Sequence, residues 1–154
     1  MDRLYFEDFT PGEVLEFGDA AVTAAEIVEF ASAFDPQIFH LDAEAARDTF
    51  AGGLIASGWH TASLLMRMMC DGFLNRSASQ GGPGVDELEW TKPVRPGDRL
   101  RARGAILSAR ALSSRPTLGV VAFEFEVFNQ NAELVMRQKN SIFFLRRSPG
   151  EASS

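Results

Sequence analysis

The chain is an acidic protein of 154 residues with a formal net charge of -6, 45% hydrophobic residues and 23% charged residues. This length and composition are typical of one soluble globular domain with its own core. The negative charge argues against a nucleic-acid partner, because contacts to phosphates require a basic surface. A single cysteine, Cys70, excludes an internal disulfide and a cysteine-based metal cluster.

The N-terminal residues and the hydropathy of the chain bear on its location. The first residues, MDRLYFEDFTPGE, contain acids and lack the apolar core of a secretory signal. No apolar run reaches the length of a membrane span. We therefore expect a cytoplasmic protein with no membrane partner. It should form a single domain over residues 1–147, with a disordered tail over 148–154.

The first third of the chain predicts two short extended segments and then a helix. The extended segments cover residues 4–10 and 14–22. Thr23 with Glu26 three positions later forms a capping box, which marks a helix start. Apolar residues follow at helical spacing, and a proline directly after Asp35 disfavours helical backbone there. The helix should therefore end near Asp35.

Two more helices are predicted before the pattern changes. Asp42 is placed as the N-cap of a short helix, AEAARDTF, which ends at two glycines. A long helix, WHTASLLMRMMCDGFLN, begins after Gly58. Its predicted inward face consists of Ala62, Leu65, Met66, Met69 and Phe73. Because this helix is apolar on most sides, we expect a curved sheet to wrap around it.

From residue 85 onward the hydrophobic pattern has a period of two, after a predicted flexible loop over 76–84. Four segments alternate or are rich in strand-forming residues: 85–94, 98–110, 117–130 and 133–147. Helices followed by a run of strands indicate an α+β domain, an antiparallel β-sheet wrapped around a long central helix. Such a sheet leaves an edge strand, so we expect at least a homodimer.

One polar stretch, FDPQIFHLD, contains two carboxylates and one of the two histidines of the chain. Followed by GGLIASGWHT and WTKPVRPGD, it resembles the MaoC-like acyl dehydratases, the (R)-specific enoyl-CoA hydratase branch of the hotdog fold. The matching pattern is Asp35, His40 five residues later, Asp42 two residues further, and Gly58 eighteen residues past His40. One departure is Gln37, which stands where these hydratases usually have asparagine.

The resemblance implies a function and a role for each of three residues. Asp35 and His40 would activate water and move protons, and the Gly58 amide would stabilise the enolate oxygen. The protein would be a hydro-lyase that reversibly hydrates a 2-enoyl-CoA to an (R)-3-hydroxyacyl-CoA. The acyl-CoA substrate would enter at the dimer interface, and no cofactor or metal is implied. Two alternatives stay open: a hotdog acyl-CoA thioesterase, and a non-catalytic acyl-CoA-binding subunit.

Several nearby residues have competing interpretations. Ser57 either caps the long helix or contacts substrate, and Trp59 either belongs to the core or narrows the acyl channel. Asp42 is interpreted as an N-cap and His60 as a partly buried helix histidine. Four arginines could meet the phosphates of coenzyme A but are interpreted as solvated: Arg67, Arg95, Arg99 and Arg101.

Overall fold

A computed structural model of the protein describes residues 2–148. The strands are β1 (Val14–Ala21), β2 (Val85–Trp90), β3 (Arg99–Ala111), β4 (Leu118–Phe128) and β5 (Leu134–Leu145). The helices are α1 (Ala24–Phe34), α2 (Ile38–Leu41), α3 (Ala43–Ala46) and α4 (Gly58–Gly72). Two short 3-10 helices, Phe6–Asp8 and Leu74–Arg76, precede β1 and follow α4 respectively. No helix in the described part of the chain is long and apolar enough to cross a membrane.

The strands form one antiparallel sheet in the order β1-β3-β4-β5-β2, which leaves β1 and β2 at the edges. Apolar and charged side chains alternate along its strands and therefore lie on opposite faces of the sheet. Phe123 and Phe125 of β4 are fully buried, whereas Glu124 and Glu126 face outward and form ion pairs with arginines of β5 and β3. The four strands predicted from residue 85 onward are therefore confirmed, although β2 ends at Trp90, three residues before Pro93, which cannot donate a ladder hydrogen bond.

Helix α4 lies against the inner face of this sheet and completes the core. Leu65 and Met69 are fully buried and pack with Phe125 and other core side chains. This α+β arrangement of a sheet around a long helix is the predicted hotdog fold. The predicted inward face was wrong at Met66, which is 47% exposed. Met66 lies about 100° from Leu65 around the helix axis, on the exposed side of α4.

Two predictions for the first 50 residues need correction. Residues 4–10 are not a strand but contain a 3-10 turn, which closes because the Asp8 carboxylate accepts the Tyr5 N–H at 2.8 Å. The helix predicted for AEAARDTF is reduced to α3, since Thr49 Oγ1 donates to the Ala46 carbonyl at 2.6 Å. The four-residue α2 was not predicted, because so short a helix has no measurable periodicity.

The segment after α4 is irregular, as predicted, but its beginning is hydrogen-bonded on both sides. Ala78 N–H donates to the Leu4 carbonyl at 2.8 Å, and its own carbonyl accepts Leu145 N–H at 3.0 Å. Ser77 and Ala78 are both buried. The predicted tail over 148–154 lies, apart from Ser148, outside the described residues.

Candidate active site

The first candidate residue, Asp35, lies at the C-terminal end of α1. That helix begins as predicted, with Thr23 Oγ1 accepting the Glu26 N–H at 3.1 Å and Glu26 Oε1 accepting the Thr23 N–H at 3.2 Å. It ends where Asp35 N–H donates to the Ala31 carbonyl at 2.8 Å. Asp35 then has φ -154 and ψ 67, outside the helical region, as a residue before proline requires. The backbone break places the carboxylate beside the start of α4.

The second candidate, His40, belongs to the short helix α2 and is 4% exposed. Its Nδ1 lies 2.6 Å from the carbonyl oxygen of Ile55. Because a carbonyl can only accept, Nδ1 must carry a proton, which fixes the tautomer of the neutral ring. The other ring nitrogen, Nε2, lies 3.2 Å from Asp35 Oδ2. Nε2, the nitrogen that carries no proton in this tautomer of the neutral ring, therefore faces the Asp35 carboxylate.

Asp35 is held by hydrogen bonds on both oxygens. Ser57 Oγ donates to Oδ2 at 2.7 Å, and Gln37 Nε2 donates to Oδ1 at 2.6 Å. The Ser57 hydroxyl lowers the pKa of Asp35, and partial burial opposes this effect. Gln37 lowers the pKa further, as does His40 when its ring is protonated. The net direction is a pKa below the ordinary value, so Asp35 is a carboxylate at neutral pH. A donor from α4 thus stabilises a charge at the end of α1.

Gly58, the third candidate, is the first residue of α4. Its N–H belongs to the first turn, where the helix supplies no carbonyl partner and the dipole is positive. A Cβ on residue 58 would lie 2.7 Å from Trp90 Cζ2 and closer still to two other indole carbons. The absence of a side chain here therefore lets the Trp90 ring pack on the helix start. From the sequence alone, the missing side chain of Gly58 is explained only by the close approach of a thioester.

His40 and Gly58 line one cavity of about 360 Å³. Its walls are mainly apolar and aromatic, with Phe39, Phe50 and Trp90 among the lining side chains. Lys92 is a cation in this wall, and it pairs with Glu133. A cavity of this size and lining is typical of small-molecule sites. Within residues 2–148, no group of three or more His, Cys, Asp or Glu side chains is arranged to hold a metal ion.

The two remaining site candidates lie on either side of Gly58. Ser57 is 0% exposed, and its hydroxyl also accepts the Trp59 N–H at 3.3 Å, so it caps α4. Trp59 is 57% exposed, which excludes the core interpretation. Its ring is edge-on to Trp90, with centroids 5.2 Å apart. Of these two indoles, Trp90 lines the cavity and Trp59 does not.

The contacts of Asp42 and His60 are those of residues with a structural role. Asp42 Oδ1 accepts the N–H groups of Glu44 and Ala45 at 2.9 and 3.1 Å, which confirms the predicted N-cap. His60 is 6% exposed and stacks on Phe30 with ring centroids 4.8 Å apart. Its Nδ1 is buried without a hydrogen-bond partner, and burial lowers its pKa. A neutral ring is therefore favoured at this position.

The four arginines considered for coenzyme A each have a local partner. Arg67 pairs with Asp71 at 2.8 Å and Arg99 with Asp19 at 2.6 Å. Arg101 lies over the Phe128 ring, 5.6 Å from its centroid. Arg95 donates to the carbonyl of Ala51 at 2.7 Å. Each of these four arginines therefore has a partner within the chain, and none requires a bound ligand to explain its position.

Sequence reasoning missed three parts of the site: the Ile55 carbonyl, the Gln37 amide and the Trp90 indole. The Ile55 carbonyl has no side-chain signature, so only coordinates could reveal it. Gln37 was visible two residues after Asp35, within reach of its carboxylate. The signal for Trp90 was weak: a glycine at a helix start, without a turn to explain it, indicates a close neighbour but not which one.

Comparisons with known proteins agree with this architecture. A family model described as MaoC like domain matches residues 7–122. Among solved structures, the chain is similar to a MaoC-like dehydratase from Rhodospirillum rubrum, with 41% identity and a TM-score of 0.86. That alignment covers 94% of this chain and 99% of the other.

Two further similarities extend over most of the chain. An uncharacterized protein, YdeM of Bacillus subtilis, is 27% identical over 140 residues, which covers 91% of this chain and 98% of that protein. The (R)-hydratase PhaJ1 from Pseudomonas aeruginosa, in its unliganded form, superposes with a TM-score of 0.72 over 94% of this chain and 88% of that one. At 22% identity, the second similarity concerns the fold alone.

Proposed function

This chain belongs to the MaoC-like domain family, and on that premise we propose that it is a hydro-lyase acting on a 2-enoyl thioester of coenzyme A. The product of hydration would be the (R)-3-hydroxyacyl-CoA, and the reaction would be reversible. The observation that supports this best is the pair of Asp35 and His40 in contact at 3.2 Å, with His40 and Gly58 on one cavity. A carboxylate, an imidazole and a helix-terminal amide are the groups that hydration of an unsaturated thioester needs.

In the proposed reaction, water binds between the Asp35–His40 pair and the substrate double bond. His40 Nε2 accepts a proton from water as the oxygen adds to C3, since Nδ1 is already protonated toward Ile55. The Asp35 carboxylate stabilises the imidazolium that results, because its own lowered pKa keeps it ionised. The imidazolium then returns one proton to C2. The pair ends in its starting state, and water has been added across the bond.

The Gly58 amide would act on the thioester oxygen. Negative charge develops on that oxygen when the C3–O bond forms, before C2 is protonated. A backbone N–H at the positive end of α4 stabilises such charge without a costly rearrangement. Donors of this kind typically contribute on the order of 10²–10³ in turnover.

The proposed substrate site is completed by a second copy of the chain. Strand β2 is an edge strand, and exposed apolar side chains lie on it and on the adjacent outer face of α4: Trp59, Met66, Val85 and Trp90. A homodimer would cover this surface and create a route for the pantetheine arm. Trp59, at the rim beside Trp90, would then contact the substrate as it enters.

Incubation of the purified protein with crotonyl-CoA tests the proposal. Loss of the enoyl absorbance without release of free thiol is the expected result. Thiol release would instead identify an acyl-CoA thioesterase, and binding of acyl-CoA with no turnover of a panel of enoyl chain lengths would identify a binding subunit. Chiral analysis of the product tests the (R) configuration, and a pure (S) product would contradict that part of the proposal.

A further inference from the structure

We propose that Ser57 is a positioning residue, whose hydroxyl fixes the Asp35 carboxylate relative to the Gly58 amide. The inference rests on the proposed hydration, in which these two groups act on opposite ends of one reacting system. Its basis is the contact of Ser57 Oγ with Asp35 Oδ2 at 2.7 Å, between residues 22 positions apart. Ser57 immediately precedes Gly58, so the same residue is joined covalently to the proposed oxyanion donor.

The Ser57 hydroxyl makes two hydrogen bonds in this arrangement. A hydroxyl has one proton to donate, and here it goes to the Asp35 carboxylate. One of its lone pairs accepts the Trp59 N–H at 3.3 Å, which caps α4. The end of α1 and the start of α4 are therefore joined through a single oxygen atom. A displacement of either helix end would stretch one of these two bonds.

Burial makes this donor difficult to replace. Ser57 is 0% exposed, so water has no access to substitute for a missing hydroxyl. Gln37, which bonds the other carboxylate oxygen, is exposed, and solvent can take over its role. Of the two donors, Ser57 is therefore the one that determines where the carboxylate lies.

Three substitutions separate positioning from capping. Ser57→Ala removes both the donor and the cap, whereas Ser57→Gly removes the donor but leaves a residue that is tolerated at an N-cap. Ser57→Thr keeps the hydroxyl. We expect Ser57→Ala and Ser57→Gly to lose turnover equally, by about 10- to 100-fold in kcat with little change in KM, although Ser57→Ala melts at the lower temperature. Ser57→Thr should recover most of the turnover.

The pKa of Asp35 gives a readout that capping alone does not move. The Ser57 hydroxyl lowers this pKa through its 2.7 Å hydrogen bond, so both variants without the hydroxyl should raise it. Thr23→Ala, which removes the N-cap of α1 at the end far from Asp35, is the matched control: it should melt earlier with the pKa of Asp35 unchanged.

A carboxyl carbon-13 NMR titration of Asp35, assigned by comparison with Asp35→Asn, measures the same contact without substrate. The Asp35 resonance should titrate at higher pH in Ser57→Ala and Ser57→Gly and as in the wild type in Ser57→Thr. If the titration of Asp35 stays unchanged in both variants without the hydroxyl while stability falls, Ser57 is a helix cap and the inference is wrong. If the wild type hydrates no enoyl thioester, the proposed function fails, and the titration still decides whether Ser57 holds the carboxylate.

Discussion

The indole of Trp90 lies directly on Gly58, so closely that a Cβ on residue 58 would be 2.7 Å from Trp90 Cζ2. Both residues line the cavity, and Gly58 is the first residue of α4. Two reasons for the glycine therefore coincide. It makes room for the ring, and it would make room for a thioester oxygen.

Gly58→Ala separates these two reasons when it is combined with Trp90→Ala. In the wild-type background the added methyl group overlaps the indole and should cost about 1–3 kcal/mol in the free energy of unfolding. With Trp90→Ala already present, the same change should cost much less. Turnover, however, should stay low in the double variant, because the methyl group still obstructs the thioester. Chemical denaturation and steady-state hydration provide the two measurements. If stability and turnover both recover, the glycine serves only the ring.

The Asp35–His40 contact predicts that the two side chains act as one unit. Asp35→Asn and His40→Asn should each lower turnover by on the order of 10²–10⁴. Asparagine is chosen for His40 because its amide can still donate to the Ile55 carbonyl, which is buried with it. The double variant should be little worse than the poorer single variant, since units of this kind are not additive. Fully additive losses would contradict a shared step.

Asp42→Ala is the matched control for the loss of a nearby carboxylate. Asp42 caps α3 through two backbone N–H groups, so its loss should cost about 1 kcal/mol in the free energy of unfolding. Turnover of the folded enzyme should be preserved. A thermal melt and the hydration assay on the same preparation check both expectations, and a large loss of turnover at full stability would place Asp42 in the reaction.

His60 predicts a pH dependence of stability in a defined window. Burial lowers its pKa in the folded protein below the ordinary 6.5, with the Glu26 carboxylate partly offsetting the effect. The unfolded chain therefore binds more protons, and this contribution to stability is present above pH 6.5 and is lost as the pH falls below it. His60→Phe keeps a ring on Phe30 and cannot titrate, so its free energy of unfolding should fall less between about pH 7.5 and 5.5.

The pH window of Asp35 is separate, so the effect of His60 can be isolated. The pKa of Asp35 is lowered from 3.8, so the stability it provides is lost only at pH values below that. The two windows do not overlap. Parallel stability profiles for the wild type and His60→Phe across the upper window would show that His60 is protonated with equal ease in the folded and unfolded chains.

The exposed apolar surface of α4 and β2 predicts self-association. The solution mass should be at least twice the 16.9 kDa of one chain. Met66→Glu should weaken the assembly, since it places a charge on this surface without touching the core. Light scattering at micromolar concentration measures both proteins. A monodisperse monomer for the wild type would remove the proposed interface, and an unchanged mass for Met66→Glu would place the contact elsewhere.

The sequence alone determined the features that depend on neighbours a few residues apart. The capping box of Thr23 and Glu26 fixes a helix start through two hydrogen bonds within one turn. The residue before Pro36 must leave the helical region, which locates the end of α1. Phe123 and Phe125 alternate with glutamates, and a period of two can bury only one face of a strand. These rules act locally, so they could be applied without coordinates.

Only the tertiary structure decided how the ends of these elements meet. His40 contacts the carbonyl of Ile55, 15 residues further along the chain, and Asp35 contacts Ser57, 22 residues further along. Gly58 contacts Trp90, which follows the whole of α4 and the loop after it. None of these partners follows from spacing, because packing of α4 against the sheet sets the distance between chain segments. Met66 shows the same limit, since its apolar side chain satisfies the helical pattern yet faces outward. Local periodicity determines that a helix forms and approximately which face is apolar. Its exact rotation and its contacts depend on the shape of the surface it packs against.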